Sequence, residues 1–107
     1  MPMDADARKP LVLVIDDEQG PRDSMRMLVK GEFEMLAADH VEAGVELLKQ
    51  NSPDVIVMDI RMPGKSGIEG LSEIRAIDPV VSVIMLTGYG ALDTARQALQ
   101  LGANDYM

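Results

Sequence analysis

Cysteine is absent from the 107 residues, which removes disulfides, thiolate metal sites and cysteine nucleophiles together. Cations are scarce: ten Lys and Arg stand against 18 Asp and Glu, a net charge of −8, with a single histidine. A surface so short of positive charge suits neither the tracking of nucleic-acid phosphates nor an anionic membrane. Long apolar runs are missing as well. The longest reaches about five residues, where a membrane span needs roughly twenty. The opening MPMDADARKP lacks the apolar stretch of a signal peptide, and residues 1–9 read as a polar, mobile tail. Gly20, Gly64 and Gly67 do not form G-x-G-x-x-G, so a dinucleotide site has little support. No internal repeat, linker or low-complexity segment interrupts the chain. What is there is ordinary for one globular domain: 47% hydrophobic and 26% charged residues. The expectation is a cytoplasmic, acidic protein of one domain, large enough to bury a core.

Apolar segments alternate with amphipathic ones along the whole chain. Leu11–Ile15 (LVLVI) is an apolar run without alternation, as suits a strand buried on both faces. Pro21 opens a helix from its first turn, with Met25, Leu28 and Val29 on one face and Gly31 as its stop. Residues 33–38 form a weaker strand. Asp39 and Glu42 resemble a capping box, and Val41, Val45 and Leu48 continue as the stripe of a second helix. Ser52-Pro53 breaks that helix before a strand over 54–58 (DVIVM). The turn-rich patch at 62–67 leads to a helix carrying Ile68, Leu71 and Ile74, which Asp78-Pro79 ends. A strand over 80–86 (VVSVIML) follows. Gly88-Tyr89-Gly90 then joins it to a helix with Leu92, Ala95 and Leu99 on one side, stopped by Gly102. Residues 104–107 begin a fifth strand. Strands alternating with helices predict an α/β fold with right-handed βαβ crossovers, a doubly wound parallel sheet.

In such sheets ligands bind outside the carboxyl ends of the strands. Three strand ends carry polar residues there: Asp16-Asp17-Glu18, Asp59 and Thr87. Acidic residues at strand ends are often no more than solvated loop charges. Three carboxylates and a hydroxyl converging on one sheet edge are a different matter. Two carboxylates roughly 4 Å apart repel by about 4 kcal/mol at an effective dielectric near 20. Such a cluster takes up a proton or a cation. Its oxygen ligands suit Mg²⁺, which accepts one or two carboxylates, retains waters and binds phosphate oxygens. A carboxylate beside Mg²⁺ can attack a phosphoryl group to form an aspartyl phosphate, with Thr87 bonding the same group and Gly88 leaving room for it.

Asp16-Asp17 after LVLVI, DVIVMDIRMPGKSG around Asp59, LTG around Thr87 and GANDY near the end together resemble the receiver domain of two-component response regulators. The resemblance covers residues 10–107, and four ordered motifs make it specific. It implies a flavodoxin-like sheet of order 2-1-3-4-5. It also implies that Asp59 is the phosphoacceptor, served by the phosphohistidine of a sensor histidine kinase. Asp17, Asp59 and the backbone carbonyl of Arg61 would hold Mg²⁺, with Asp16 acting through bound water. Thr87 would contact the phosphoryl oxygens, and Tyr106 would be the aromatic that changes rotamer on activation. Met62-Pro63 and Gly67 match the turn after the acceptor, while Arg61 and Tyr89 hold flanking positions that tune phosphorylation rates in the family.

The end of the chain departs from that pattern. The family carries a Lys shortly beyond the position of Tyr106, and none of Lys9, Lys30, Lys49 and Lys65 matches it. Arg61 is therefore a candidate for a substitute cation. The fifth strand is incomplete and the final helix missing by the same comparison. The expectation is a piece of a longer protein, or a chain that forms a homodimer or swaps elements to cover the exposed face. The run LTGYGALDTARQALQLGANDY is similar to receivers of sigma-54 activators, pointing to an output domain that regulates transcription without DNA contact by this domain. Two other readings stay open: a Mg²⁺-dependent phosphatase passing through an aspartyl phosphate, and a binding module that is never phosphorylated. The phosphatase commonly has a second Asp two residues after its nucleophile, where this chain has Arg61. His40 reads as a surface helix residue, and the nine methionines, such as Met25, Met58 and Met85, as core filling, with Met62 in the acceptor loop.

Overall fold

The computed structural model describes residues 9–62 and 64–86, together with the backbone of residues 105 and 106. Five parallel strands form one sheet: β1 (Leu11–Ile15), β2 (Glu34–Ala38), β3 (Val55–Asp59), β4 (Ser82–Leu86) and β5 (Asp105–Tyr106). Their order is β2-β1-β3-β4-β5, the flavodoxin-like order expected from the motifs. Three helices of 11 residues each, α1 (Gln19–Val29), α2 (Val41–Asn51) and α3 (Gly67–Ile77), connect the first four strands. The expected tail, the Gly88-Tyr89-Gly90 connection and the helix carrying Leu92, Ala95 and Leu99 lie outside the described residues.

The central strands are apolar on both faces because both faces are covered. Leu13, Ile15, Ile56, Met58, Val83 and Met85 point to the side of α2 and α3, where they pack with Val41, Leu48, Leu71 and Ile74. Val12, Val14 and Val57 point the other way, toward Met25 and Val29 of α1. Alternation of side chains along each strand makes this division automatic once the strands pair in register. Val14 lies opposite Val57, and Val57 opposite Ile84, so one face is continuous across three strands.

Local details correct the sequence reading in four places. The first helix begins at Gln19, with Pro21 inside its first turn, where no intrahelical N–H bond is lost. Leu28 does not belong to its buried face and is 75% exposed. The stripe turned inward runs through Arg22, Met25 and Val29, and one residue of helix, about 100°, carries Leu28 off it. Gly31, at φ +91°, does mark the stop. The capping box at Asp39 and Glu42 does not form: His40 is the N-cap, without a side-chain cap bond, and the Asp39 carboxylate pairs with His40 Nδ1 at 2.6 Å. The capping box lies instead at α3, between Ser66 and Glu69. Finally, β4 starts at Ser82 rather than at residue 80. The Asp78 carboxylate accepts the N–H groups of Val80 and Val81 at 2.9 and 3.0 Å, which holds these two residues in a turn. Val80 is left 84% exposed.

Candidate functional site

Parallel pairing places the last residues of β1 and β3 side by side, with Ile15 opposite Met58. The residues that follow therefore share the carboxyl edge of the sheet. Asp16, Asp17 and Asp59 each offer a carboxylate oxygen there, and the three atoms lie within 4.8 Å of one another. Asp16 is buried, only 5% exposed, while Asp17 and Asp59 are half-buried. The structure thus brings together the three acidic residues that the sequence singles out.

Each carboxylate is held by backbone. The Asp16 N–H donates to Ala38 O at 3.0 Å, and its Oδ1 accepts the Glu18 N–H at 2.9 Å. Asp59 is the last ladder residue of β3, paired with Leu86, and the Ile60 N–H donates to Leu86 O at 3.0 Å. Asp59 Oδ1 accepts the N–H of Arg61 at 3.0 Å. Gly67 opens α3 against this same backbone, its N–H donating to Ile60 O at 2.9 Å. A Cβ at Gly67 would overlap the Asp59 carbonyl oxygen and come within 2.6 Å of Ile60 Cα. Only glycine permits that approach. Lys65, in the turn between β3 and α3, pairs with Glu73 of α3 and lies 3.6 Å from Glu42 of α2, so it is an element clasp.

Electrostatics mark Asp59 out. Burial pushes its carboxyl above the usual carboxylate range, opposed by the Arg61 N–H and reinforced by the negative charge of Asp16, Asp17 and Glu18. A carboxyl that resists ionisation beside two others is a place where a cation is favoured. Mg²⁺ bonds oxygens at about 2.1 Å, so adjacent ligands stand about 3 Å apart and opposite ones about 4.2 Å. A spread of up to 4.8 Å accommodates two direct carboxylates and a third acting through water, and the all-oxygen donor set fits a hard cation.

Other candidates are placed less fully. Arg61 is exposed two residues beyond Asp59. Thr87 lies outside the described residues, although its predecessor Leu86 pairs with Asp59. Tyr106 has its backbone in β5 opposite Met85, and its side chain lies outside the described residues. Tyr89 also lies outside them. His40 is exposed at the start of α2, bonded to Asp39. Sequence reasoning missed Arg22, whose Nη1 donates to the Asp16 carbonyl at 2.7 Å. Nothing in local periodicity signals a bond that reaches back across a turn. No helix among the described residues is long and apolar enough to cross a membrane.

Comparison with known proteins gives one consistent answer. Residues 12–107 match the response regulator receiver domain. The chain is 38% identical over 99 residues to the chemotaxis protein CheY of Halobacterium salinarum, covering 90% of this chain and 81% of that one. It is also 38% identical over 98 residues to the regulatory protein AtoC of Escherichia coli, but there it spans only 21% of the relative's length. Among solved structures, a response regulator receiver domain protein from Clostridium thermocellum superimposes with a TM-score of 0.85 at 38% identity, covering 92% of this chain and 80% of that one. With its strand order and acidic edge, the chain belongs to the receiver domain family of two-component response regulators.

Proposed function

We propose that residues 10–107 act as a phosphorylation switch in which Asp59 accepts a phosphoryl group from the phosphohistidine of a sensor histidine kinase. The observation that carries this is the convergence of the Asp16, Asp17 and Asp59 carboxylates at the ends of β1 and β3, with Asp59 fixed by its own β3–α3 turn. A carboxylate oxygen of Asp59 attacks phosphorus, the phosphorus–nitrogen bond breaks, and the imidazole leaves with the electron pair. Asp17, Asp59 and the Arg61 carbonyl would hold Mg²⁺ in this reading, with Asp16 acting through water. When bound there, Mg²⁺ would supply positive charge to offset that on the transferring oxygens. Thr87, one residue past the partner of Asp59, then bonds the new phosphoryl oxygens, and the 87–91 loop and Tyr106 shift with it. Arg61, two residues past Asp59, is the cation proposed to share that charge.

The output proposed is transcriptional, through a partner domain and in the cytoplasm, on the likeness of the run from Leu86 to Tyr106 to sigma-54 activator receivers. The similar proteins CheY and AtoC bear the names of a chemotaxis protein and a regulatory protein, so the receiver alone does not dictate the output.

The test is labelling with acetyl phosphate and Mg²⁺, read by intact mass. One phosphoryl group should add to the wild type, and none to Asp59→Asn or when EDTA replaces Mg²⁺. Equal labelling of Asp59→Asn would sink the assignment of the acceptor. Turnover of a generic phosphate ester would favour a phosphatase instead.

A further inference from the structure

Asp16 and Asp17 follow directly on Ile15, the last ladder residue of β1, and α1 begins only two residues later at Gln19. The turn between them is held by three bonds, each with a separate effect. The Asp16 N–H to Ala38 O ties it to the end of β2, and the Glu18 N–H to Asp16 Oδ1 orients the Asp16 carboxylate. The third is the guanidinium of Arg22, donating to Asp16 O at 2.7 Å. That carbonyl belongs to the peptide plane joining Asp16 to Asp17. Fixing the plane sets the direction in which Asp17 leaves the strand, and with it the reach of its carboxylate.

Arg22 is built for this position. It shares the inward stripe of α1 with Met25 and Val29, at spacings of three and four residues, and is itself half-buried. Its charge also acts electrostatically on Asp39, at the start of the β2–α2 turn. There it adds a lesser downward pull on a carboxyl that His40 chiefly holds below the usual range.

We propose that Arg22 is a positioning residue for divalent-cation binding, acting through the Asp16 carbonyl to hold Asp16 and Asp17 in ligating geometry. The inference rests on the reading of the acidic edge as a Mg²⁺ site. Its sign is distinctive. Coulomb's law alone makes a guanidinium near the acidic edge a competitor of the cation, so neutralising it would tighten Mg²⁺ binding. A positioning role makes the same change weaken it. Loss of partners that orient metal ligands typically costs about 10–100-fold in affinity.

The experiment is a titration of the 107-residue chain with MgCl₂, followed through the backbone amides of residues 16–18 and 59–61 by ¹⁵N NMR. Wild type is compared with Arg22→Met and Arg22→Lys. Arg22→Met should weaken apparent Mg²⁺ affinity about tenfold or more in the folded chain. Arg22→Lys, which keeps the charge but not the planar fork, should recover only part of it. An unchanged or tightened affinity in Arg22→Met overturns the proposal, because a purely structural role would lower the melting point and leave the affinity alone. If Arg22→Met does not fold, Arg22→Lys decides: wild-type affinity there overturns it, and a several-fold loss supports it. A wild type that gives no Mg²⁺ response overturns both this inference and the acceptor reading. A normal wild-type response with indifferent variants overturns this one alone.

Discussion

Asp59 is where the chemistry of a single residue can be read most directly. Its carboxyl is raised above its ordinary value, first by burial and then by Asp16, Asp17 and Glu18, against the pull of the Arg61 N–H. The folded state therefore holds this proton more tightly than the unfolded chain does. The resulting stability is full below the unfolded value near 3.9 and is lost as pH rises through the raised folded value. Asp59→Asn removes the charge and keeps an oxygen for the Arg61 N–H. It should be more stable than wild type at neutral pH, by about 1 kcal/mol or less after solvent screening. Urea denaturation from about pH 4 to pH 7 checks this, since the gap should close toward the acid end. A constant gap would assign the effect to packing. Asp39 works in the opposite sense. Held low by His40, it contributes stability above its unfolded value that is lost as pH falls through the lower folded one. Being common to both proteins, it cancels in the comparison. The acidic residues of the site were legible because carboxylates at consecutive strand ends are a sequence pattern. Arg22 was not, because its bond to Asp16 depends on how the intervening turn closes.

At the scale of elements, the β3–α3 connection does most to hold the acceptor in place. Ser66 and Glu69 cap α3 reciprocally, and Lys65 clasps the turn to α2 and α3. The S-x-x-E spacing that signals the cap stands in the sequence. Asp39 and Glu42 have the same spacing, but there the Asp39 oxygen is taken by the neighbouring imidazole. Gly67 is the tightest point, because α3 starts against the Asp59 carbonyl itself. Gly67→Ala should destabilise the fold by about 1–3 kcal/mol, as overpacking against backbone does. It should also slow acetyl phosphate labelling of the folded fraction, since relief requires the Asp59 peptide to move. Chemical denaturation and labelling rate measured together check both parts. Normal labelling by a destabilised protein would separate the packing of α3 from acceptor geometry.

Across the whole molecule, two apolar layers on a five-stranded sheet carry stability, and the site is an edge condition of that sheet. Leu13 lies fully buried between β1 and the α2–α3 layer, so Leu13→Ala should cost about 2–5 kcal/mol. Leu28, predicted from periodicity to be its equivalent in the first helix, is 75% exposed, so Leu28→Ala should stay within about 0.5 kcal/mol. Thermal or urea unfolding of the two variants tests the assignment of helix faces in one comparison. By itself, the sequence determined the alternation of strands and helices, the double burial of β1, and the residue types at the strand ends. These follow from local periodicity and from carboxylates being too costly to bury at strand centres. Tertiary structure alone decided which stripe of α1 faces inward, where β4 begins, and that Arg22 reaches the Asp16 carbonyl. It also brought three carboxylate oxygens within 4.8 Å. The carboxylate cluster and the packed face of α1 depend on segments far apart in the chain, which meet only once the parallel strands have paired in register, whereas the start of β4 and the Arg22 bond depend on how local turns close.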